Sequence, residues 1–272
     1  MIRRGIGVQS FVAGGPVPPD ADAQAFITAA AITDATQQSA INTLVVDLKG
    51  YGIWAKMKAI YPFVGGTASA HKWNLKDPRD LNAAFRLVFS GGWTHSSNGA
   101  LPNGTNAYAD TFLNPNSVLI NNNNNLSFYS RTDTNGLFAD VGAASSTSTT
   151  QIGIYLRFTG NCLADSGTFS ESRITASTSN SLGFFNLTRT STTSFKVFKN
   201  GSSIGSNSTS NTVSALPNFN LFLSAYSQAG SSVQYSNRQC AFASIGDGIS
   251  DTEAANLYTA VQAYQTTLSR NV

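Results

Sequence analysis

Between Met57 and Gly246 the chain is a succession of short apolar runs: "KAIYPFV", "AAFRLVF", "LSFYS", "QIGIYLRF", "LGFFNLT", "SFKVFK" and "LFLSAY". Clusters of Ser, Thr, Asn and Gly separate them, and no helix-length pattern intervenes before Gly246. Runs of this length at short spacing fit the strands of an antiparallel sandwich or barrel, and they exclude parallel folds in which helices alternate with strands. In "FKVFKNGSSIGS", two runs flank Asn200-Gly201, the pair that most strongly signals a two-residue hairpin.

The composition agrees. Only 11% of the 272 residues are charged, against roughly 25% in an average soluble domain. Short neutral polar side chains take their place, as in sandwiches, rigid assemblies and secreted or virion proteins. The 17 Lys and Arg are scattered and the net charge is +3, so no basic stripe marks a nucleic-acid surface. No run approaches the ~18 apolar residues of a membrane span. Gly5, Gly7, Gln9 and Ser10 interrupt the apolar start, so it is expected to be retained rather than cleaved as a signal peptide.

Helical signals bracket the β region. Asp20 and Asp22 suit a helix start, and a second helix follows Thr33 or Asp34, with Ile41, Leu44, Val45 and Leu48 on one face and Gly50 closing it. "GIWAKMKAI" is expected to add a short helix or turn. Near the C-terminus Ser250 and Glu253 form a capping box, followed by a stripe of Leu257, Val261, Tyr264 and Leu268. The expected division is an extended N-terminal arm over 1–19, a helical segment over 20–60, a β-sandwich over 61–249 and a closing C-terminal helix over 250–272. In the arm, "GGPVPP" favours extended backbone; Arg3, Arg4 and Phe11 are candidate assembly contacts on a neighbouring subunit, a disordered tail being the other reading.

Catalytic chemistry finds little support. A glycosidase needs two carboxylates flanking the scissile bond. The chain has two glutamates; Glu253 reads as a helix cap and Glu171 stands alone. Asp77 and Asp80 in "DPRD" fit a turn salt-bridged to Arg79 better than an acid pair. His71 and His95 lack a third ligand at zinc-site spacing. No nucleophile elbow or phosphate-cradling loop occurs. The chain is therefore not expected to be an enzyme or to carry a cofactor. Calcium is the exception left open: Asp133, Asn135 and Asp140 in "DTNGLFAD" could ligate it, or simply form a Gly-containing turn. Trp73, Trp93, Tyr108 and Tyr129, with Phe128, could form a glycan-stacking platform or fill the sandwich core. "INNNNN", residues 120–125, reads as a loop tip. Cys162 and Cys240 sit among apolar residues and read as buried free thiols, the other reading being a pair if their strands are adjacent. Five glycosylation sequons begin at Asn103, Asn125, Asn186, Asn200 and Asn207.

Two resemblances extend this reading. "FKVFKNGSSIGS", then "NFNLFLSAYSQ" and "RQCAFASIGDGISDTEAANLYTAVQAY", resemble the hairpin, closing strand and helix-opening turn of laminin-G-like, concanavalin A-like jelly rolls. That implies a mainly β sandwich and, because the fold hosts lectins, enzymes and structural modules, no one function. "DADAQAFITAAAITDATQQSAINTLVVDLKGYGIWAKMKAIYPFVGG", "HKWNLKDPRDLNAAF" and "GGWTHSSNGALPNGTNAYADTFLNP" look like a family in tailed-bacteriophage genomes taken to be virion components. This second resemblance implies a virion protein partnered by other virion proteins and its own copies, displaying its sandwich as capsid decoration, head fibre or tail-associated module, with a host-surface glycan as a further partner. A stand-alone carbohydrate-binding protein is the alternative. Neither reading involves nucleic acid or membrane.

Overall fold

The computed structural model describes residues 19–272 apart from Ser148 and Ser170, so the expected arm, with Arg3, Arg4 and Phe11, lies outside the described residues. Helix α1 (Ala21–Ala29) is capped by Asp20, and α2 (Ala35–Gly50) by Asp34, whose carboxylate accepts from Gln37 N. These caps satisfy backbone donors that a helix start leaves without partners. The expected stripe of Ile41, Leu44, Val45 and Leu48 is buried.

Strand β1 (Met57–Tyr61) begins inside the segment expected to be helical; only the short turn Trp54–Lys56 precedes it. Then come single-turn α3 (Ala68–His71), β2 (Val88–Ser90), β3 (Trp93–Ser96), β4 (Gly99–Pro102), β5 (Tyr108–Asp110) and single-turn α4 (Pro115–Val118). The middle of the chain forms β6 (Asn124–Ser130), β7 (Val141–Ala144), β8 (Gln151–Phe158), β9 (Asn161–Gly167), β10 (Ile174–Ser177) and β11 (Gly183–Ser191). The remaining strands are β12 (Ser194–Lys199), β13 (Ser202–Asn207), β14 (Phe222–Leu223), β15 (Tyr226–Gln228), β16 (Ser231–Val233) and β17 (Cys240–Gly246), followed by α5 (Asp251–Thr267).

The strands form two sheets. The first runs β13-β12-β11-β6-β17-β4-β3, with β1 added against β17; the second runs β10-β9-β8-β7-β14-β5-β2, with β15 and β16 attached beside β7. Pairing is antiparallel except between β15 and β7. Leu126, Phe128, Phe185, Leu187, Phe195 and Val197 of the first sheet meet Val141, Ile152, Ile154 and Leu156 of the second in one core. The opposite face of the first sheet presents Tyr129, Phe184, Phe198 and Phe242 to α1, α2 and α5, forming a second core with Phe26, Ile41, Leu44, Leu257 and Val261. Both faces of the first sheet are therefore covered, and every residue of β6 and β17 is buried.

The expected capping box of Ser250 and Glu253 is present on α5, and Leu257, Val261 and Tyr264 are buried; Leu268 lies one residue past the helix. At the hairpin, Lys199 pairs with Ser202 across Asn200 and Gly201, which have φ of 49° and 77°. Two successive left-handed residues suit the right-handed twist of the flanking strands, which is why Asn-Gly occupies the turn.

Only part of the asparagine run is a loop tip: Asn121 and Asn122 turn between Ile120 and Asn123, and the rest enters the sheet. Asn124 and Asn125 open β6 and are fully buried. Asn121 donates to Val213 O (2.7 Å) and Asn125 to Leu187 O (2.8 Å); Asn124 accepts from Ser166 Oγ (2.8 Å) and Asn123 from Gly248 N (2.8 Å). Each short amide ties a different backbone or hydroxyl group at this end of the sandwich, where an apolar side chain would leave those groups unsatisfied. Asn125 and Asn186 are both buried, so these two sequons are closed to modification in the folded chain.

Candidate functional site

Alternation along β8 divides its side chains. Ile152, Ile154 and Leu156 enter the core between the sheets, so Gln151, Gly153 and Tyr155 face away from it. Register places Gly142 of β7, Gly153 of β8 and Asp165 of β9 side by side on that outer face. The ring of Tyr226, from β15, lies over the two glycines; a β-carbon at Gly153 would stand 2.8 Å from its Cε2. Glycine within a strand weakens it by roughly 0.5–1 kcal/mol and marks close approach of another group, here an aromatic ring.

Around this floor opens a cavity of about 580 Å³. It is lined by Gln151, Tyr155, Tyr226, Gln228 and Gln234, with Thr147, Thr149, Thr168 and Phe169 from the loops after β7 and β9. The two tyrosine rings stand 5.7 Å apart. Tyr155 Oη donates to Gln234 Oε1 (2.8 Å) and Tyr226 Oη to Gln151 Oε1 (3.1 Å). Burial raises both tyrosine pKa values, so the hydroxyls keep the protons they donate. Phe169, 47% exposed, stands at the rim with the Arg173 guanidinium 4.2 Å from its ring centroid.

Asp165 is the carboxylate next to the floor. Arg173 grips it with two hydrogen bonds of 2.8 and 2.7 Å, and the Asp165 side chain is fully buried. Burial pushes its pKa up; the guanidinium opposes that shift, as does the nearby Gln151 amide, although Gln151 Nε2 closes no hydrogen bond. Tyr155, Tyr226 and Gln151 are buried and form the base, so the surface open to a ligand is the exposed Phe169 ring with amides and hydroxyls and no charged side chain among the lining groups, which suits reversible binding of a neutral polar ligand.

The residues expected from sequence lie elsewhere. Tyr129 is fully buried beneath α5, with its hydroxyl accepting from Val272 N, and Phe128 is core, so neither offers a stacking face. Trp73 packs against the helical core under Lys72; Trp93 donates from Nε1 to Ser90 O; Tyr108 faces Phe222 at 4.6 Å. These aromatics stand on separate elements and form no common platform. The calcium candidates diverge as well. Asp133 accepts from Ser181 N and Arg157, Asn135 from Gly160 N, while Asp140 is fully buried and bound by Arg238, Ser236 and Leu156 N. Their oxygens are committed to protein donors, and among the described residues no three His, Cys, Asp or Glu side chains gather as a metal set. Asp77 bonds Arg79, as expected of a turn. His71 and His95 do meet, with Nδ1 atoms 2.9 Å apart, but among aromatic neighbours rather than further ligands. Cys162 and Cys240 are free and buried.

The alternation of "QIGIYLRF" and the Tyr in "LFLSAYSQ" were the available signals for the cavity; the pairing of β15 with β7, which brings them together, was not in the pattern.

No protein-family profile and no curated protein matches the chain. Domain 4 of AbnA, a GH43 extracellular arabinanase from Geobacillus stearothermophilus solved in complex with arabinotriose, is similar in structure. It matches with a TM-score of 0.50 and 14% identity over 74% of this chain and 98% of that domain. The fold is a concanavalin A-like jelly-roll sandwich. The receptor binding domain of botulinum neurotoxin D gives a TM-score of 0.46 at 11% identity, over 76% of this chain and 53% of that one. The Ruminococcus gnavus IT-sialidase CBM40 bound to α2,3-sialyllactose gives 0.35 at 14%, over 49% and 80%. At these identities the likeness concerns the fold alone.

Proposed function

We propose that this chain is a non-catalytic glycan-binding module whose ligand occupies the cavity on the outer face of the second sheet. The observation that carries the reading is the seating of Tyr226 on Gly142 and Gly153 within a ring of amides and hydroxyls. Two adjacent strands carry glycine where the Tyr226 ring lies against them, so the buried ring forms the base beneath the open lining groups. The complex of the AbnA domain with arabinotriose supports the same reading for a sandwich of this shape. The lining holds no carboxylate, and neighbouring Asp165 is committed to Arg173, so an acid–base pair of the glycosidase kind is missing from the site.

The finer part of the proposal places the module on a tailed-bacteriophage particle. It rests on the resemblance to virion proteins, which covers nearly the whole chain and is carried by motifs within residues 20–115. The architecture supports it in one respect: α1, α2 and α5 pack on the first sheet, opposite the cavity, so attachment through the helical side leaves the cavity facing outwards.

A glycan array probed with the full chain and with Phe169→Ala tests the binding function. Saturable binding that drops at least fivefold in the variant is expected; absence of binding, or binding indifferent to Phe169, overturns it. Peptide mass spectrometry on gradient-purified particles tests the location: a fixed ratio to the major capsid protein supports it, and absence from intact particles overturns it.

A further inference from the structure

The orientation of the amides narrows the ligand. Tyr155 and Tyr226 each donate a hydroxyl proton to a glutamine oxygen, Gln234 Oε1 at 2.8 Å and Gln151 Oε1 at 3.1 Å. An amide has one oxygen and one NH2 group, so an oxygen held by a tyrosine turns the nitrogen, a donor only, to the other side. Gln151 Nε2 is buried, but Gln234 is partly exposed and lines the cavity, so its NH2 is a donor held in a fixed direction for a ligand. Gln234 itself sits at φ 54°, a left-handed conformation that a non-glycine residue adopts at a cost and that the surrounding contacts must hold in place.

The acceptors are correspondingly weak. The one carboxylate bordering the floor, Asp165, already accepts two hydrogen bonds from Arg173, which leaves neutral acceptors, the threonine hydroxyls and the Gln228 amide, to receive ligand protons. A sugar whose substituents are all hydroxyl groups brings one proton with each hydroxyl oxygen, and each such proton needs an acceptor. A ligand group that accepts strongly without donating at the same point fits the Gln234 wall better, and the exposed Phe169 ring, backed by Arg173, adds an apolar surface beside it. A carbonyl oxygen joined to a methyl group combines these two properties. All nine lining residues are uncharged, so an anionic sugar meets no free cation here.

We infer that the cavity prefers glycans bearing a 2-acetamido group, with the acetamido carbonyl accepting from Gln234 Nε2 and its methyl against the aromatic rim. This rests on the glycan-binding reading above. A volume of about 580 Å³ lies within the range of roughly 300–1,000 Å³ usual for small-molecule sites, and accommodates a disaccharide.

Two β1,4-linked disaccharides separate the inference from the reading beneath it: N,N′-diacetylchitobiose and cellobiose, which differ only in acetamido or hydroxyl at C2. Calorimetric titration of the full chain is expected to give at least tenfold tighter binding of diacetylchitobiose. Gln234→Glu keeps the oxygen that Tyr155 uses and removes the NH2, so it is expected to abolish that preference while melting within a few degrees of the wild type. Equal affinity for the two sugars overturns the acetamido assignment and leaves glycan binding standing. A preference unchanged in a folded Gln234→Glu protein also overturns it. Where that variant fails to fold, the wild-type comparison of the two sugars decides alone. Binding of neither sugar overturns the acetamido assignment; if the glycan array is silent as well, the glycan-binding reading falls with it.

Discussion

Arg238 places Nη1 2.7 Å from Asp140 Oδ2, and neither side chain has any exposure to solvent. The same guanidinium reaches Thr134 O (2.9 Å) and Arg157 O (2.7 Å), and Asp140 also accepts from Ser236 Oγ and Leu156 N. The pair thus ties the segment before β17 to β8 and to the loop after β6. Removing one partner leaves the other charge buried without a counter-ion, at a cost of about 3–5 kcal/mol. Arg238→Met is expected to lower the unfolding free energy in urea by that amount, with Asp140→Leu/Arg238→Met less damaging than either single change; a loss under 1 kcal/mol for Arg238→Met would show that the pair does not hold these segments.

Replacing Gly153 tests the floor of the cavity. The β-carbon of Gly153→Ala would stand 2.8 Å from Tyr226 Cε2 and 2.9 Å from Val141 O, so the ring must move off the sheet. Overpacking of this kind costs about 1–3 kcal/mol. Glycan affinity is expected to fall more than tenfold while the chain remains folded at 25 °C, as read by calorimetry and near-ultraviolet circular dichroism.

Gly201→Val tests the hairpin. Gly201 has φ of 77°, and its β-carbon would also lie 2.9 Å from Tyr258 Cδ1 of α5. A β-branched side chain is disfavoured in left-handed backbone, and here it presses on the helix as well. We expect a fall in melting temperature of at least 5 °C; an unchanged Tm would contradict the turn geometry.

Acid should destabilise the junction of α3 with β3. Burial, then the neighbouring His95 and Arg270, lower the His71 pKa to about 3, and burial lowers that of His95. Both folded values lie below the unfolded value of about 6.5, so the unfolded chain binds more protons as pH falls. The stabilisation is complete above pH 6.5 and is lost on descending towards pH 3. His71 alone should account for about 2 kcal/mol between pH 7 and 5. Urea unfolding at the two values is expected to show this loss in the wild type and a much smaller one in His71→Phe.

Features encoded by neighbours in the chain were legible before any fold was known. The Ile41, Leu44, Val45, Leu48 stripe follows the helical period, Ser250 and Glu253 cap α5 three residues apart, and Asn200-Gly201 sets its own turn. The start of the β region at Met57 and the run "KAIYPFV" coincide with β1, whereas the division drawn at 60/61 cuts that strand, whose partner β17 lies some 190 residues later. Likewise the expected stacking role of Tyr129 fails because α5 covers the face of β6 from which it projects.

The sequence by itself determined the β-rich class, the two long capped helices and the hairpin, because each depends on residue types or on spacings of a few positions. Only the tertiary structure decided which sheet faces are covered and which is open. Alternation assigns Gln151, Gly153 and Tyr155 to one side of β8 but is silent on whether helices or solvent lie beyond it. The cavity needed Tyr226 and Gln234 brought against residues 75 and 79 positions earlier, and contacts at that separation are fixed by strand register and packing rather than by any local pattern.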